Sequence, residues 1–261
     1  MRSDTDELIH ADWLRPDWDL PQVRAFMTTR AGGVSTGIHA SMNIGRSVED
    51  DPQAVAANRA HVDAALGAPA LFLWQVHGPD VLHLRPEHLQ LDESPKFDAA
   101  VSTSPGLGVA IQAADCLPVL FAAPRGVAGA HAGWRGLAGG VLENTVRALC
   151  EAADCRPRDI HAWMGACIGP TAFEVGADVL EAFGHPRPSA SDKRFFVYRP
   201  NAASEPRWRA DLPGLARERL QALGLAGVSG GRWCTYSEDS RFFSYRRERL
   251  GGRMVAAIAL H

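Results

Sequence analysis

The chain predicts a single α/β domain with a mixed central sheet flanked by helices. Three observations carry that prediction. Between Leu71 and Ala130, six short apolar runs of strand length follow one another, most of them bounded by Gly, Pro or Asp. On either side of this block lie stretches whose apolar residues recur at helical spacing. No repeat, low-complexity tract or linker divides the 261 residues, of which 46% are hydrophobic, enough for a substantial core.

Residues 1–22 are expected to form an N-terminal extension and residues 23–261 the domain. Met1 to Asp19 carries Asp4, Asp6, Glu7, Asp12 and Asp17 without an uninterrupted apolar stretch, so no secretory signal is expected. Val23 to Thr29 reads as a strand, and Arg30 to Gly37 is too rich in glycine to continue it. Asp51-Pro52 opens a helix with an acid before it and proline in its first turn. Ala54, Val55, Ala57, Val62, Ala65 and Leu66 supply its apolar positions, and Gly67 ends it.

The strand candidates that follow are Leu71 to Val76, Val81 to Leu84, Ala99 to Ser102, Gly108 to Gln112, Leu117 to Phe121 and Val127 to Ala130. Gly133 to Gly140 is read as a glycine-rich connection. After it, Val141, Leu142, Thr145, Val146 and Leu149 lie on one helix face. Ile160 to Met164 is a further strand. Val179 to Phe183 and Leu212 to Leu223 look helical, while Phe195 to Tyr198 and Met254 to Leu260 look extended. Pro186 to Lys193 and Pro200 to Pro206 are expected to be surface loops.

A formal charge of -3, with 27 scattered basic residues, gives no electrostatic reason to expect nucleic acid or an anionic membrane as partner. No apolar run approaches the roughly 18 to 20 residues that span a bilayer. Five cysteines, Cys116, Cys150, Cys155, Cys167 and Cys234, form an odd set without framework spacing, which suits reduced thiols in a cytoplasm. The partner expected is a small molecule, and the oligomeric state is left open.

His77, Cys116 and His131 each terminate or adjoin a predicted strand, where a sheet brings distant residues to one rim. Two His and one Cys with an open fourth position are the donor set of a catalytic zinc, which lowers the pKa of its bound water towards roughly 7. Their spacing offers no local Cys-x-x-Cys or His-x-x-x-His module. A packed cysteine beside hydrogen-bonded histidines uses the same residues. So does a Cys nucleophile activated by His. Copper is the less favoured metal: no Met follows closely as an axial ligand, and no His-x-His pair occurs among the ten histidines.

Seven strings turn these residues into a resemblance. Met27-Thr28-Thr29-Arg30-Ala31-Gly32-Gly33-Val34-Ser35, Asn43-Ile44-Gly45, Gln75-Val76-His77-Gly78 and Ala114-Asp115-Cys116-Leu117-Pro118 come first. His131 to Leu137, Gly165-Ala166-Cys167-Ile168-Gly169-Pro170 and Cys234-Thr235-Tyr236-Ser237 complete the set. Together they resemble the laccase-domain or polyphenol oxidase-like family, whose YfiH-like members are described as purine nucleoside phosphorylases. The similarity runs in consistent order from about Phe26 to Leu260. It implies a cysteine-hydrolase-like α/β architecture and zinc at His77, Cys116 and His131. It also implies phosphorolysis of adenosine, inosine, guanosine and methylthioadenosine, with deamination of adenosine. Copper binding, phenol oxidation and action on cell-wall peptides are the alternatives attached to the family.

For the chemistry, Cys116 and its neighbour Asp115 are the candidate catalytic residues; holding a ligand or a backbone amide is the plainer role for Asp115. Phosphate calls for cations, and Arg30, Arg46 and Arg135 are those near the motifs, although ion pairing within the fold is the commoner use of each. Asn43 is a candidate for a ribose or purine edge, or it caps a turn. Gln75 lies two residues before His77 and, on a strand, shares its face. Trp134 is read as a purine wall or as core, Asp98 as part of a small acidic segment or a cap, and Phe242 to Arg247 as a pocket cover or a fastening for the last strand. His39 and Gly251-Gly252-Arg253 depart from the family pattern and bear on substrate selectivity.

Overall fold

The computed structural model describes residues 8–91, 93–185 and 190–261. In chain order the elements are β1 (Val23–Met27), α1 (Pro52–Leu66), β2 (Ala70–Phe72), β3 (Val81–His83), β4 (Ala99–Ser102), β5 (Gly108–Ala113), β6 (Leu117–Ala123) and β7 (Gly126–Ala132). There follow α2 (Trp134–Ala138), α3 (Val141–Ala153), β8 (His161–Met164), β9 (Glu174–Val175), α4 (Ala177–Ala182), β10 (Phe196–Tyr198), β11 (Trp208–Ala210), α5 (Leu212–Ala222), β12 (Gly227–Gly230) and β13 (Met254–Leu260).

In place of one central sheet there are two, packed face to face, with a small third sheet beside them. The first has the order β1-β13-β5-β2 and the second β12-β8-β6-β7-β4-β3; the third is β10-β11-β9. Each large sheet mixes parallel and antiparallel pairs. The reason lies in strands whose residues are buried on both faces. In β13, Met254, Ala256, Ile258 and Leu260 pack with Leu120, Ala122 and Trp163 of the second sheet. Val255, Ala257 and Ala259 of the same strand face Val62, Ala65 and Leu66 of α1. In β6, Leu117, Val119 and Phe121 pack with Val146 and Leu149 of α3 and Leu220 of α5. The result is a helix, sheet, sheet, helix stack, in which strand alternation assigns each residue to one of two interlayer cores.

Most elements form where their sequence signals stand. Asp51 accepts a bond from the Gln53 N–H at 2.9 Å and caps α1, while Gly67 ends it in a left-handed conformation at φ 73°. The run Leu71 to Val76 leaves the sheet after Phe72. Beyond that point the Gln75 side chain donates to the Gln112 carbonyl and accepts from the Gln112 N–H, both at 2.8 Å, replacing a backbone ladder with an amide clasp. The glycine-rich connection contains the short helix α2. Pro200 to Pro206 is the loop joining β10 to β11.

Residues 186–189 of the expected loop Pro186 to Lys193, together with Asp4, Asp6 and Glu7 of the N-terminus, lie outside the described residues. Of the expected N-terminal extension, Ile9 and Trp13 are buried, and Trp13 sits 5.0 Å from the Phe26 ring. Leu14 exchanges two backbone bonds with Met27. No helix among the described residues is long and apolar enough to cross a membrane.

Candidate metal centre

Both large sheets contribute to the centre because the chain crosses between them twice at the same edge. His77 lies on the crossover from β2 of the first sheet to β3 of the second, and Cys116 on that from β5 to β6. His131 is the penultimate residue of β7. Each crossover contains a non-glycine residue with positive φ, His77 at 64° and Asp115 at 91°. Such conformations cost about 1 kcal/mol or more and persist where the surroundings hold them.

A carboxylate holds each one. Asp98, fully buried, accepts from the backbone N–H groups of Val76, His77 and Gly78 at 3.0, 2.9 and 2.7 Å. Asp115 accepts from Thr235 Oγ1 at 2.6 Å, Ser244 Oγ at 3.0 Å and the Arg246 N–H at 2.7 Å.

One ligand atom from each of His77, Cys116 and His131 lies within 4.8 Å of the others. Cys116 Sγ is 3.9 Å from His77 Nε2, and the two imidazole rings meet edge to face, 4.9 Å apart at 77°. A tetrahedral zinc with Zn–S near 2.3 Å and Zn–N near 2.0 to 2.1 Å sets its sulfur and nitrogen about 3.6 Å apart, so the donors fit such an ion. His131 Nδ1 lies 2.8 Å from Asp98 Oδ1. An ionised carboxylate only accepts, so Nδ1 carries a proton in either state of the ring, and Nε2 is the nitrogen that offers its lone pair to a metal once its own proton leaves. Gly133 closes the group from below: a Cβ there would stand 3.0 Å from both Cys116 Sγ and His77 Cδ2.

Electrostatics make the thiolate available. Burial disfavours ionisation of Cys116, yet His131, followed by His77, brings its pKa down to about 6. Burial also disfavours the His131 cation, but the Cys116 thiolate and Asp98 raise it to about 9. Asp98 stays below the usual carboxylate value: burial pushes it up, while His131 and the backbone N–H groups of Gly78 and His77 pull it down further.

The three ligands open into a cleft of about 1140 Å³. Among the described residues its lining carries four fixed cations, Arg46, Arg59, Lys96 and Arg253, against one carboxylate, Glu93. Trp74 and Tyr245 give it exposed aromatic faces, at 59% and 48% exposure.

Of the residues singled out from sequence, Arg46 and Gln75 line this cleft with the metal triad. Gln75 is engaged in its clasp with Gln112. Arg30, Asn43, Asp115 and Arg135 are not among the lining residues. The Arg30 guanidinium donates to the carbonyls of Ala40 and Asp239 and lies over Phe243. Asn43 is buried and bonds Asp50 and Gly45. Arg135 rests on the Trp134 ring at 4.2 Å. Asp115 has both carboxylate oxygens engaged with the segment Thr235 to Arg246.

Sequence reasoning passed over Trp74, Lys96, Arg59 and Gln112, and it noted Tyr245 and Arg253 only within longer strings. Arg59 sits on α1, where a helix pattern marks it merely as polar. A tryptophan immediately before Gln75 and three residues before the ligand His77 was the available signal for Trp74.

Residues 24–261 match the family described as multi-copper polyphenol oxidoreductase laccase. A Pseudomonas aeruginosa protein named purine nucleoside phosphorylase is 44% identical over 251 residues, covering 95% of this chain and 98% of that one. The Escherichia coli K12 purine nucleoside phosphorylase YfiH is 44% identical over 250 residues, covering 94% and 97%. Among solved structures, a Neisseria meningitidis protein superimposes with TM-score 0.83 at 41% identity, covering 95% of this chain and 99% of that one. YlmD of Geobacillus stearothermophilus gives TM-score 0.82 at 30% identity, covering 95% and 96%.

Proposed function

The chain belongs to the multi-copper polyphenol oxidoreductase laccase family, and from that premise we propose that it is a cytoplasmic, zinc-dependent purine nucleoside phosphorylase that also deaminates adenosine. The single observation that carries the reading is the His77, Cys116 and His131 donor set opening into a cation-rich cleft with aromatic walls. The proposed nucleosides are adenosine, inosine, guanosine and methylthioadenosine, with phosphate as the second substrate. A zinc ion held by the triad supplies Lewis acidity at the head of the cleft.

Everything else falls to the chain's own groups. In phosphorolysis an oxygen of hydrogen phosphate bonds to the sugar C1′ as the bond from C1′ to the purine nitrogen breaks and the phosphate proton passes to that nitrogen, giving the free base and ribose 1-phosphate, or 5-methylthioribose 1-phosphate from methylthioadenosine. The cleft cations favour the anion, and Trp74 and Tyr245 offer faces on which a purine stacks. Asp98 fixes the tautomer and orientation of His131 and the path of the His77 loop. In deamination, water replaces the amino group at the purine C6 and ammonia leaves. Among the residues expected at the site, Arg46 and Gln75 belong to the cleft wall. Arg30, Asn43 and Asp115 contribute by holding the loops around it, Arg135 stacks on Trp134 in α2, and Cys116 acts as a metal ligand.

Zinc is favoured over copper because no Met stands among the described residues lining the cleft to act as the axial ligand of a copper held by two histidines and a cysteine, and because among the described residues this is the one group of three or more ligating side chains, too few for a multi-copper cluster. The test pairs metal analysis of wild type and Cys116→Ser with chromatography of adenosine incubated with and without phosphate. About one zinc per wild-type chain, lost in the variant, with adenine formed only with phosphate, is the expected result. Full zinc content in Cys116→Ser overturns the ligand assignment.

One observation favours a second reading. Cys116, His131 and Asp98 stand in the order of a nucleophile, a base and its orienting acid, the arrangement of a cysteine hydrolase that acts on amides such as cell-wall peptides. That reading requires turnover by chelated, metal-free protein and trapping of Cys116 by a thiol reagent. Complete loss of turnover on chelation, restored by zinc, excludes it.

A further inference from the structure

Three arginines of the cleft wall form no close ion pair among the described residues, although Asp63 acts on Arg59 and Asp115 and Cys116 act on Arg253 from further away. Arg46, Arg59 and Arg253 all line the cleft. Among the described residues, no carboxylate oxygen lies within 4.0 Å of a guanidinium nitrogen of any of them. Arginine in a fold is ordinarily paired, and the neighbouring charges of Arg46 and Arg59 disfavour one another until an anion enters.

One short segment gathers the three. The Ile44 N–H donates to the Arg253 carbonyl at 3.1 Å, and the Ile44 carbonyl accepts from Arg59 Nε at 2.9 Å. Gly45 comes so close to Arg253 that a Cβ there would stand 2.7 Å from its Cγ. The Arg253 N–H donates to Asn43 Oδ1 at 2.8 Å. Arg46 is the next residue along. Segment 43–46 therefore has Arg59 tied to one side and Arg253 to the other, and ends in the third cation.

The guanidinium groups differ in how firmly they are held. Arg59 is half-buried over the Phe72 ring, 4.0 Å from its centroid, and reaches Gln112 Oε1 only at 3.5 Å. Arg253 spends bonds on the carbonyls of Gly251, Gly252 and Arg249, which fix its position but do not neutralise it. Arg46 is exposed. Burial, reinforced by the charge of Arg46 and opposed by Asp63, lowers Arg59 to about 10, so it remains charged at neutral pH.

We propose that Arg46, Arg59 and Arg253 form a pocket for a tetrahedral oxyanion in the wall of the metal-lined cleft, and that its occupant is free orthophosphate. Its place as a co-substrate site rests on the phosphorylase reading; the pocket itself does not. Two rigidly held cations and one adaptable one match an ion that enters as a substrate and departs as part of a product.

Binding measured without turnover separates the two ideas. Orthophosphate is titrated calorimetrically into the metal-loaded wild type, Arg59→Gln, Arg59→Lys and Arg46→Gln, with adenosine 5′-monophosphate as a parallel titrant. Wild type is expected to bind orthophosphate, with Arg59→Gln and Arg46→Gln each weaker by about 10-fold or more. Arg59→Lys falls between, retaining the charge but not the planar fork. Arg46→Gln, an exposed substitution, keeps the test valid if the Arg59 variants fail to fold. Absence of binding by wild type at millimolar orthophosphate overturns the pocket, as does equal binding by both glutamine variants. Binding of the nucleotide but not of orthophosphate overturns the assignment of its occupant. Binding without nucleoside phosphorolysis overturns the phosphorylase reading alone. Phosphorolysis with an unchanged phosphate KM in both variants overturns the pocket alone.

Discussion

Asp98 and His131 are bonded twice: the Asp98 carboxylate meets His131 Nδ1 at 2.8 Å, and the Asp98 carbonyl accepts from the His131 N–H at 2.7 Å. The same carboxylate holds three N–H groups of the loop that bears His77. Asp98→Asn keeps the shape but removes the charge and one acceptor oxygen. Metal affinity is expected to fall about 10- to 100-fold, the usual effect of losing a carboxylate behind a metal-binding histidine. Competition with a chromophoric chelator measures it, and unchanged affinity would show that backbone geometry alone orients His131.

Gly133 gives a steric test that leaves every donor in place. In Gly133→Ala the added carbon stands 3.0 Å from Cys116 Sγ and His77 Cδ2, closer than side-chain carbons ordinarily approach. Metal content after dialysis is expected to drop at least about 10-fold while circular dichroism retains the native spectrum. A variant that holds metal as tightly as wild type would mean that the three donors spread apart easily.

Protons report the same centre. In metal-free protein Cys116 is a thiolate above about pH 6, and His131 keeps its extra proton up to about pH 9. A metal requires the thiolate and neutral imidazole, so between these values binding displaces one proton from His131 and none from Cys116. Below about pH 6 the Cys116 proton must leave as well, and affinity falls more steeply with acidity. Calorimetry in buffers of different ionisation enthalpy counts the released protons. Release by Cys116 at pH 8 would contradict the thiolate assignment. Alkylation of metal-free protein should likewise mark Cys116 before Cys155, whose burial and nearby Cys150 raise it to about 11.

Sheet stacking has its own probe. A Cβ on Gly129 would stand 2.7 Å from Ile111 Cγ1 and 3.0 Å from Val109 Cγ1 across the interlayer core. Gly129→Ala is expected to destabilise by about 1 to 3 kcal/mol through overpacking. Denaturant unfolding with an unchanged slope would assign the loss to the folded state; a stability equal to wild type would mean that the sheets separate readily at that point.

Local signals determined most of what was legible in the sequence. Asp51, Pro52 and Gly67 bracket α1 because capping and left-handed geometry are properties of single residues. Met254 to Leu260 was legible to the residue as a strand, since an unbroken apolar run of that length has few other uses. The division into two sheets was not, because a run buried on both faces looks the same whether helices or a second sheet cover it. The helix in Gly133 to Gly140 was hidden by glycines that answer to tertiary contacts, Gly133 to the ligands and Gly136 to the Gly78 carbonyl. At the site, His77, Cys116 and His131 were recognisable from their chemistry and their flanks. Asp98 was noted but not its task, which depends on partners 20 to 33 positions away. Arg59 and Arg253 share a wall only through segment 43–46, a relation invisible in one dimension.

The two crossovers that carry His77 and Cys116 also join the stacked sheets, so the separation of the layers and the separation of the ligands are one mechanical coordinate. A cobalt ion substituted at the centre would then serve as a strain gauge for the whole sandwich. Its absorption bands depend on coordination angles, and they would shift when a distant residue such as Gly129 forces the layers apart. Conversely, filling the centre should slow exchange of amide hydrogens at the ends of β5 and β6 remote from the ligands, such as those of Val109 and Ala122, because the metal pins the hinge about which the layers would open.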